Sequence, residues 1–305
     1  MLQRRLGLIV LAAVSVSIGS CGGSSDNITP EAACDQWSQV TCQKLAQCAP
    51  SQAQFYGTEA DCVRILKRVC PQAFGLPGSG DSPTVTAACT KVTQTLSCEA
   101  FNAQADYCPI KGTLADGTAC NQPAQCASGY CRVPSAGGCG VCGARSAQGG
   151  ACDSSFDCGD NLACLFDGTK NSGVCVRSVG AGAACGLGAI CQAGLFCGQD
   201  GTCLATSKEN DACATADACD SDQGLECGAD GKCHQQPAAA PGASCAPESG
   251  IDPVCTGGLC NTTSMKCEAY LTEGDPCNAN ASFFCEIGLT CLAGKCSPPN
   301  DPICR

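Results

Sequence analysis

The sequence predicts a small disulfide-rich fold: a short α-helical, cysteine-stapled N-terminal domain followed by six tandem small β-hairpin disulfide repeats. Three observations predict it. Thirty-five cysteines are spread over 305 residues, a density found where cross-links stand in for a hydrophobic core. One Trp, four Tyr and eight Phe are too few to fill cores along so long a chain. From Lys111 onward the cysteines recur, with Cys120, Cys152, Cys185, Cys213, Cys245 and Cys277 opening successive units spaced 28 to 33 residues apart.

Residues 1–20 read as an export signal. Arg4 and Arg5 precede an apolar run from Leu6 to Ile18, too short to span a bilayer and right for a signal peptide. Ile18-Gly19-Ser20-Cys21 then resembles the bacterial lipobox, although Ile18 stands where Leu is commoner. The resemblance implies that Cys21 is diacylated and anchors the chain to a membrane. By the same resemblance, Gly22 in place of Asp points to the outer membrane. Cysteine parity agrees, since giving Cys21 to a lipid leaves an even number for disulfides. Ordinary secretion with cleavage nearby is the alternative. Residues 21–29, with Gly22-Gly23-Ser24-Ser25, read as a flexible tether. An oxidising, exported setting is expected from the cysteines alone.

The formal charge of −11 becomes −13 when Arg4 and Arg5 leave with the signal. Nucleic acids and anionic lipids bind through Lys and Arg, so no nucleic-acid partner is expected. The acidic residues are scattered, which makes solubility their simplest role.

Residues 30–110 carry helical patterning. Thr29-Pro30 places a cap before a Pro at the first helical position, and Cys34, Trp37, Thr41, Leu45 and Cys48 follow on one stripe. A second helix starts at Thr58 with Asp61 three residues on, and carries Cys62, Ile65, Leu66, Val69 and Cys70. A third opens at Ser82-Pro83 and runs through Val85, Ala88, Cys89, Val92 and Leu96. Cys34 and Cys42 are eight residues apart, as are Cys62 and Cys70. Each pair therefore spans about 12 Å of helix, too far to bond internally. Antiparallel helices would let Cys34 meet Cys70 and Cys42 meet Cys62.

Residues 111–305 hold the six repeats. Three residues before each opening cysteine stands Gly117, Gly149, Gly182, Asn210, Gly242 or Gly274, the residue types that tolerate positive φ. The clearest copies are Cys185, Cys191, Cys197 and Cys203, then Cys213, Cys219, Cys227 and Cys233. Asp200-Gly201 between Cys197 and Cys203 is a hairpin turn signal. A lone hairpin is marginal in water, so two disulfides per unit, each contributing roughly 2 to 4 kcal/mol, are expected to stabilise it. The first unit gains Cys142 and the last gains Cys304, which predicts two bonds outside a four-cysteine plan. Joints such as Gln235-Gln236-Pro237-Ala238-Ala239-Ala240-Pro241 predict units strung like beads.

Other cysteine chemistries fit less well. Zinc favours Cys-x2-Cys knuckles with further Cys or His, whereas the dominant gap is five and His234 is the sole histidine. No metal or other cofactor is therefore expected. Cys139-Gly140-Val141-Cys142 has the spacing of a redox dithiol but lacks the flanking strand and helix. Calcium is the more serious alternative, through Asp217, Asp220 and Asp222, with Asp157 and Asp160 in a like place of an earlier repeat. Solvated turn aspartates are the simpler reading. His234 reads as an exposed linker histidine, without a nucleophile beside it, and no catalytic residues are assigned.

The cysteine spacing, the Gly-Leu-x-Cys step at Gly194–Cys197 and the Gly-x-Cys close at Gly201–Cys203 resemble the Dickkopf N-terminal cysteine-rich region and EB modules. With the lipobox, the chain resembles bacterial surface lipoproteins that carry such repeats. The resemblance covers residues 111–305 and, more loosely, 30–110. It speaks for the fold; Cys21 as anchor, the repeats as spacer and the lack of a catalytic constellation predict a non-catalytic exported surface lipoprotein, an extended disulfide-stapled scaffold for interaction or adhesion with an unidentified protein or glycan partner. The alternative is a secreted protease inhibitor or ligand-binding module. Gln192-Ala193, Asp220-Ser221-Asp222-Gln223 and Thr256-Gly257 occupy similar places with different chemistry and are the candidate variable contacts.

Overall fold

A computed structural model describes residues 28–102, 108–133, 139–166, 173–247, 250–278, 285–298 and 304. The signal segment 1–20 and Cys21 lie outside the described residues. Among the described residues no helix is long and apolar enough to cross a membrane.

Helix α1 (Pro30–Cys48) starts where the Thr29 hydroxyl accepts the Ala32 amide at 3.2 Å, with Pro30 at its first position. It buries Cys34, Ser38, Cys42, Leu45 and Cys48, a stripe at three- and four-residue spacing. Two short helices frame the next turn, α2 (Pro50–Phe55) and α3 (Glu59–Val69). The α3 start is a reciprocal cap: the Thr58 hydroxyl accepts the Asp61 amide and the Asp61 carboxylate accepts the Thr58 amide, both at 3.2 Å. Disulfides Cys34–Cys70 and Cys42–Cys62 join α1 to the α3 segment as the two expected rungs. Helices α4 (Pro83–Thr95) and α5 (Cys98–Asn102) complete the set, tied by Cys89–Cys108 and Cys48–Cys98. The sequence pattern misses α2 and α5 because six and five residues are too few to display a helical stripe.

The buried face of α4 differs from the expected one. Ala88 and Val92 are exposed, while Thr86, Cys89, Thr90 and Thr93 are buried. The hydroxyls of Thr90 and Thr93 donate to the carbonyls of Thr86 and Cys89 at 2.8 and 3.0 Å, and Thr86 donates to Asp81 at 2.8 Å. With each hydroxyl satisfied locally, a threonine face can pack as an apolar one.

Each of the six repeats opens as expected on a left-handed residue. Gly117, Gly149, Gly182, Asn210, Gly242 and Gly274 have φ between 68° and 89°. In every repeat the amide of this residue donates to the carbonyl of the fourth cysteine at 2.7–2.8 Å. The fourth cysteine's amide returns the bond to the next residue of the turn at 2.9 Å. The third and fourth cysteines face each other across a hairpin, as Cys197 and Cys203 do between strands Leu195–Cys197 and Cys203–Ala205. Gly201, at φ 75°, carries that turn. The opposed cysteines do not bond to one another. Instead the first pairs with the third and the second with the fourth, as in Cys185–Cys197 with Cys191–Cys203 and Cys213–Cys227 with Cys219–Cys233.

The surplus cysteines obey a different rule from the expected one. Cys142 is the ordinary fourth cysteine of the first repeat, bonded to Cys126, and Cys139 is the extra. Cys139 pairs with Cys304, so one bond rather than two departs from the plan, and it joins the first repeat to the chain's end. Spacing could not separate Cys139 from Cys142, since both fall where a fourth cysteine can sit.

The beads-on-a-string expectation is corrected by the joints. In each repeat the incoming chain pairs in parallel with the segment of the second cysteine: Leu114 with Cys126, Ser146 with Cys158, Val179 with Cys191, Ser207 with Cys219, Ala239 with Cys255 and Leu271 with Cys285. The extended joints are therefore sheet partners rather than free linkers. Neighbouring repeats latch further, as where the Tyr130 hydroxyl donates to Asp157 at 2.6 Å. The array then folds back on the helical domain, so it is closed where an extended scaffold was expected.

Candidate functional site

Repeats one, four, five and six hydrogen-bond to the helical domain. The first repeat docks through Gly80, whose amide donates to Ala124 at 2.8 Å, and through the Gln125 side chain, which donates to Pro77 at 2.9 Å. Gln125 is fully buried, and its carbonyl oxygen accepts the Asn121 and Gln122 amides. Backbones pass so closely here that a Cβ on Gly112 would sit 2.1 Å from the Gln125 carbonyl oxygen.

The fourth repeat docks through Ser221–Gln223. Ser51 donates to the carbonyl oxygens of Ser221 and Asp222 at 2.8 and 3.1 Å, and Gln223 donates to the Cys48 carbonyl at 3.1 Å. Asn102 donates to the same Cys48 oxygen and to Asp222. Burial and the neighbouring Asp220 push the Asp222 carboxyl above its ordinary range. The fifth repeat adds Gly257, whose amide donates to Gln54 at 3.0 Å. Two of the three candidate variable contacts, Asp220–Gln223 and Thr256–Gly257, thus serve the interior seam, while Gln192 and Ala193 are exposed.

The sixth repeat supplies a buried carboxylate, Glu286, 4% exposed. Arg64 donates to it at 2.5 and 2.7 Å and Arg68 at 2.8 Å, and Arg68 also reaches the Ile287 carbonyl. Burial pushes the Glu286 carboxyl up, but the two arginines outweigh it and hold it below the ordinary carboxylate range. Sequence inspection missed this clamp because its partners lie 218 and 222 residues apart.

The chemistry considered for the cysteines resolves into bonds. Cys139 and Cys142 are partnered elsewhere and form no dithiol. In at least five repeats three cysteine sulfurs lie within 4.8 Å of one another, a spacing that would suit a soft metal. Their closeness follows from two stacked disulfides, and a bonded sulfur has no thiolate to donate. Asp157 accepts Tyr130 and the amides of Asp153 and Ser154, while Asp220 accepts the Gln223 amide. Asp217 and Asp160 are exposed. His234 is not a bare linker residue: it lies on strand Cys233–Gln235 and contacts Asp230 at 2.9 Å across the turn. That contact holds the Asp230 carboxyl below its ordinary value.

Between the helical domain and the fourth repeat runs an open cleft of about 860 Å³, within the size range of ligand sites. Leu225, 8% exposed, is its most buried lining side chain, and Pro50 and Pro237 are apolar walls. The polar lining is unbalanced. The amide nitrogens of Gln223, Gln235 and Gln236 donate to the protein's own Cys48, Gly224 and Asp252 carbonyls. Gln235 and Gln236, with two bonds to the protein each, offer a ligand their carbonyl oxygens, and Gln223 offers its carbonyl oxygen and one remaining N–H.

Compared with known proteins, the chain matches no family model, no curated protein and no solved structure.

Proposed function

We propose that this chain is a non-catalytic, exported surface lipoprotein, held to the outer membrane through Cys21 and presenting a disulfide-closed scaffold to a protein or glycan partner. The observation that supports it most is cysteine usage. Seventeen disulfides engage every cysteine from Cys34 to Cys304, so that Cys21 alone is left for a lipid. Such usage belongs to an exported protein. The Dickkopf-like and EB-like resemblance of the repeats agrees with a surface role and carries no binding residue with it. Metabolic labelling with a clickable palmitate is expected to mark the wild type and to be lost in Cys21→Ala. Equal labelling of both would overturn the anchor.

A second reading, a ligand-binding or inhibitory module, is favoured by Leu187. It is 95% exposed at the tip of a tight turn closed by reciprocal bonds between Gly186 and Ala189, between half-cystines Cys185 and Cys191. A solvent-facing Leu on a rigid loop is an anchor shape for an apolar pocket. If a partner or protease is found, Leu187→Asp is expected to weaken binding at least tenfold without altering thermal stability. Unchanged affinity would remove this loop from the interface.

A further inference from the structure

The cleft between the helical domain and the fourth repeat is built to receive hydrogen-bond donors. Three glutamines face it: the amide nitrogens of Gln235 and Gln236 make two bonds each to the protein and that of Gln223 makes one, and among the described residues no protein donor reaches their side-chain carbonyl oxygens. Two carboxylates join them, Glu209 and Asp220, against one ammonium, Lys208. The lining thus accepts at many points and donates at few.

A guanidinium matches that imbalance, since it carries five N–H donors and no acceptor. An ammonium offers three donors from a single point and would leave the spread of glutamine oxygens unmet. A sugar would bring acceptors as well as donors, and none of the lining residues is aromatic, so the cleft has no flat face for a sugar ring. The pyrrolidine and leucine surfaces of Pro50, Pro237 and Leu225 suit the methylene stem of an arginine. We infer that this cleft is a receptor site for an arginine side chain of a partner protein. The inference rests on the interaction-scaffold reading above and names its partner chemistry.

The test uses the disulfide-intact full mature chain and fluorescein-labelled acetyl-Ala-Arg-Ala-Arg-Ala-amide, read by anisotropy. Two control peptides replace Arg by citrulline or by Glu, and maltohexaose is the glycan probe. The Arg peptide is expected to bind at least tenfold tighter than the citrulline peptide, with no binding of the Glu peptide. Lys208 and Glu209 have exposed side chains, so both can be changed without disturbing packing. Lys208→Glu is expected to tighten the Arg peptide about fivefold to tenfold, and Glu209→Gln to weaken it about threefold. Equal binding of Arg and citrulline peptides would overturn the guanidinium assignment. Unchanged affinity in both variants would show only diffuse attraction to an acidic surface, and would overturn the site. Competition by maltohexaose would reassign the cleft to a glycan. Any of these failures leaves palmitate labelling at Cys21 unaffected, so the two readings fail separately.

Discussion

At Glu286 burial and charge act in opposite directions, and the sum has a pH signature. Its carboxyl is held below the ordinary value because Arg64 and Arg68 outweigh the cost of burial. A depressed folded pKa contributes stability that is complete above the unfolded value, about 4.3 for Glu, and is lost as pH falls through the folded value. Replacing Glu286 by Gln removes the charge and leaves two arginines against a neutral amide. The cost is expected to be about 2 to 4 kcal/mol at neutral pH, short of the upper range for a wholly buried pair because Arg64 is half exposed. Denaturant unfolding of wild type and Glu286→Gln from pH 7 to pH 2 checks this. The stability gap should be constant down to about pH 4.5 and shrink below it. A gap that stays constant to pH 2 would show that the clamp is held by shape rather than charge.

The six turns that open the repeats are equivalent elements with one chemical exception. Asn210 adopts φ 68° where the others are Gly, and its amide makes the same bond to the fourth cysteine, Cys233. Asn tolerates the left-handed region and Ala does not, so Asn210→Ala is expected to cost about 1 to 2 kcal/mol. Asn210→Gly should change thermal stability by only a few tenths of a kcal/mol. Equal losses in the two variants would place the importance of Asn210 in its side chain. These turns were legible in the sequence, as were the caps at Thr29, Thr58 and Ser82, because each is a local pattern with a local physical cause. The Cys34–Cys70 and Cys42–Cys62 rungs were legible too, since helical rise converts residue spacing into distance. The packing face of α4 was not, because Thr86, Thr90 and Thr93 look polar until their hydroxyls are paired. Asp220–Gln223 read as a variable outward contact for a related reason: nothing local records that Ser51 and Cys48 receive it. The cleft was invisible for the same cause, since Pro50 and Gln236 meet only once the array has turned back.

At the scale of the whole molecule the question is whether closure by Cys139–Cys304 or docking on the helical domain keeps the array in shape. The bond spans 165 residues, and for a free chain of that length the entropy model gives roughly 5 kcal/mol. Much of that stretch is already restricted by the ten disulfides of repeats two to six, which shorten the path the closing bond has to constrain. Docking adds independent support at the sixth repeat through Glu286 and at the fifth through Gly257. Removing the bond as Cys139→Ser with Cys304→Ser, which leaves no free thiol, is therefore expected to cost only about 1 to 3 kcal/mol and to spare the other disulfides. The loss should be local. The disulfide and the Cys304 amide bond to Asn121 at 3.1 Å both sit at the junction with the first repeat, so the disturbance is expected there first. Hydrogen exchange is expected to accelerate at Gly140–Cys142 and in the sixth-repeat hairpin Thr290–Ser297, while the amides of Gly173–Val179 in the second repeat stay protected. Faster exchange across all six repeats would mean that the ring bond organises the array. Unchanged exchange at Gly140–Cys142 would mean that docking alone holds the first repeat, through the Gly80 and Gln125 contacts that bury it against the helices.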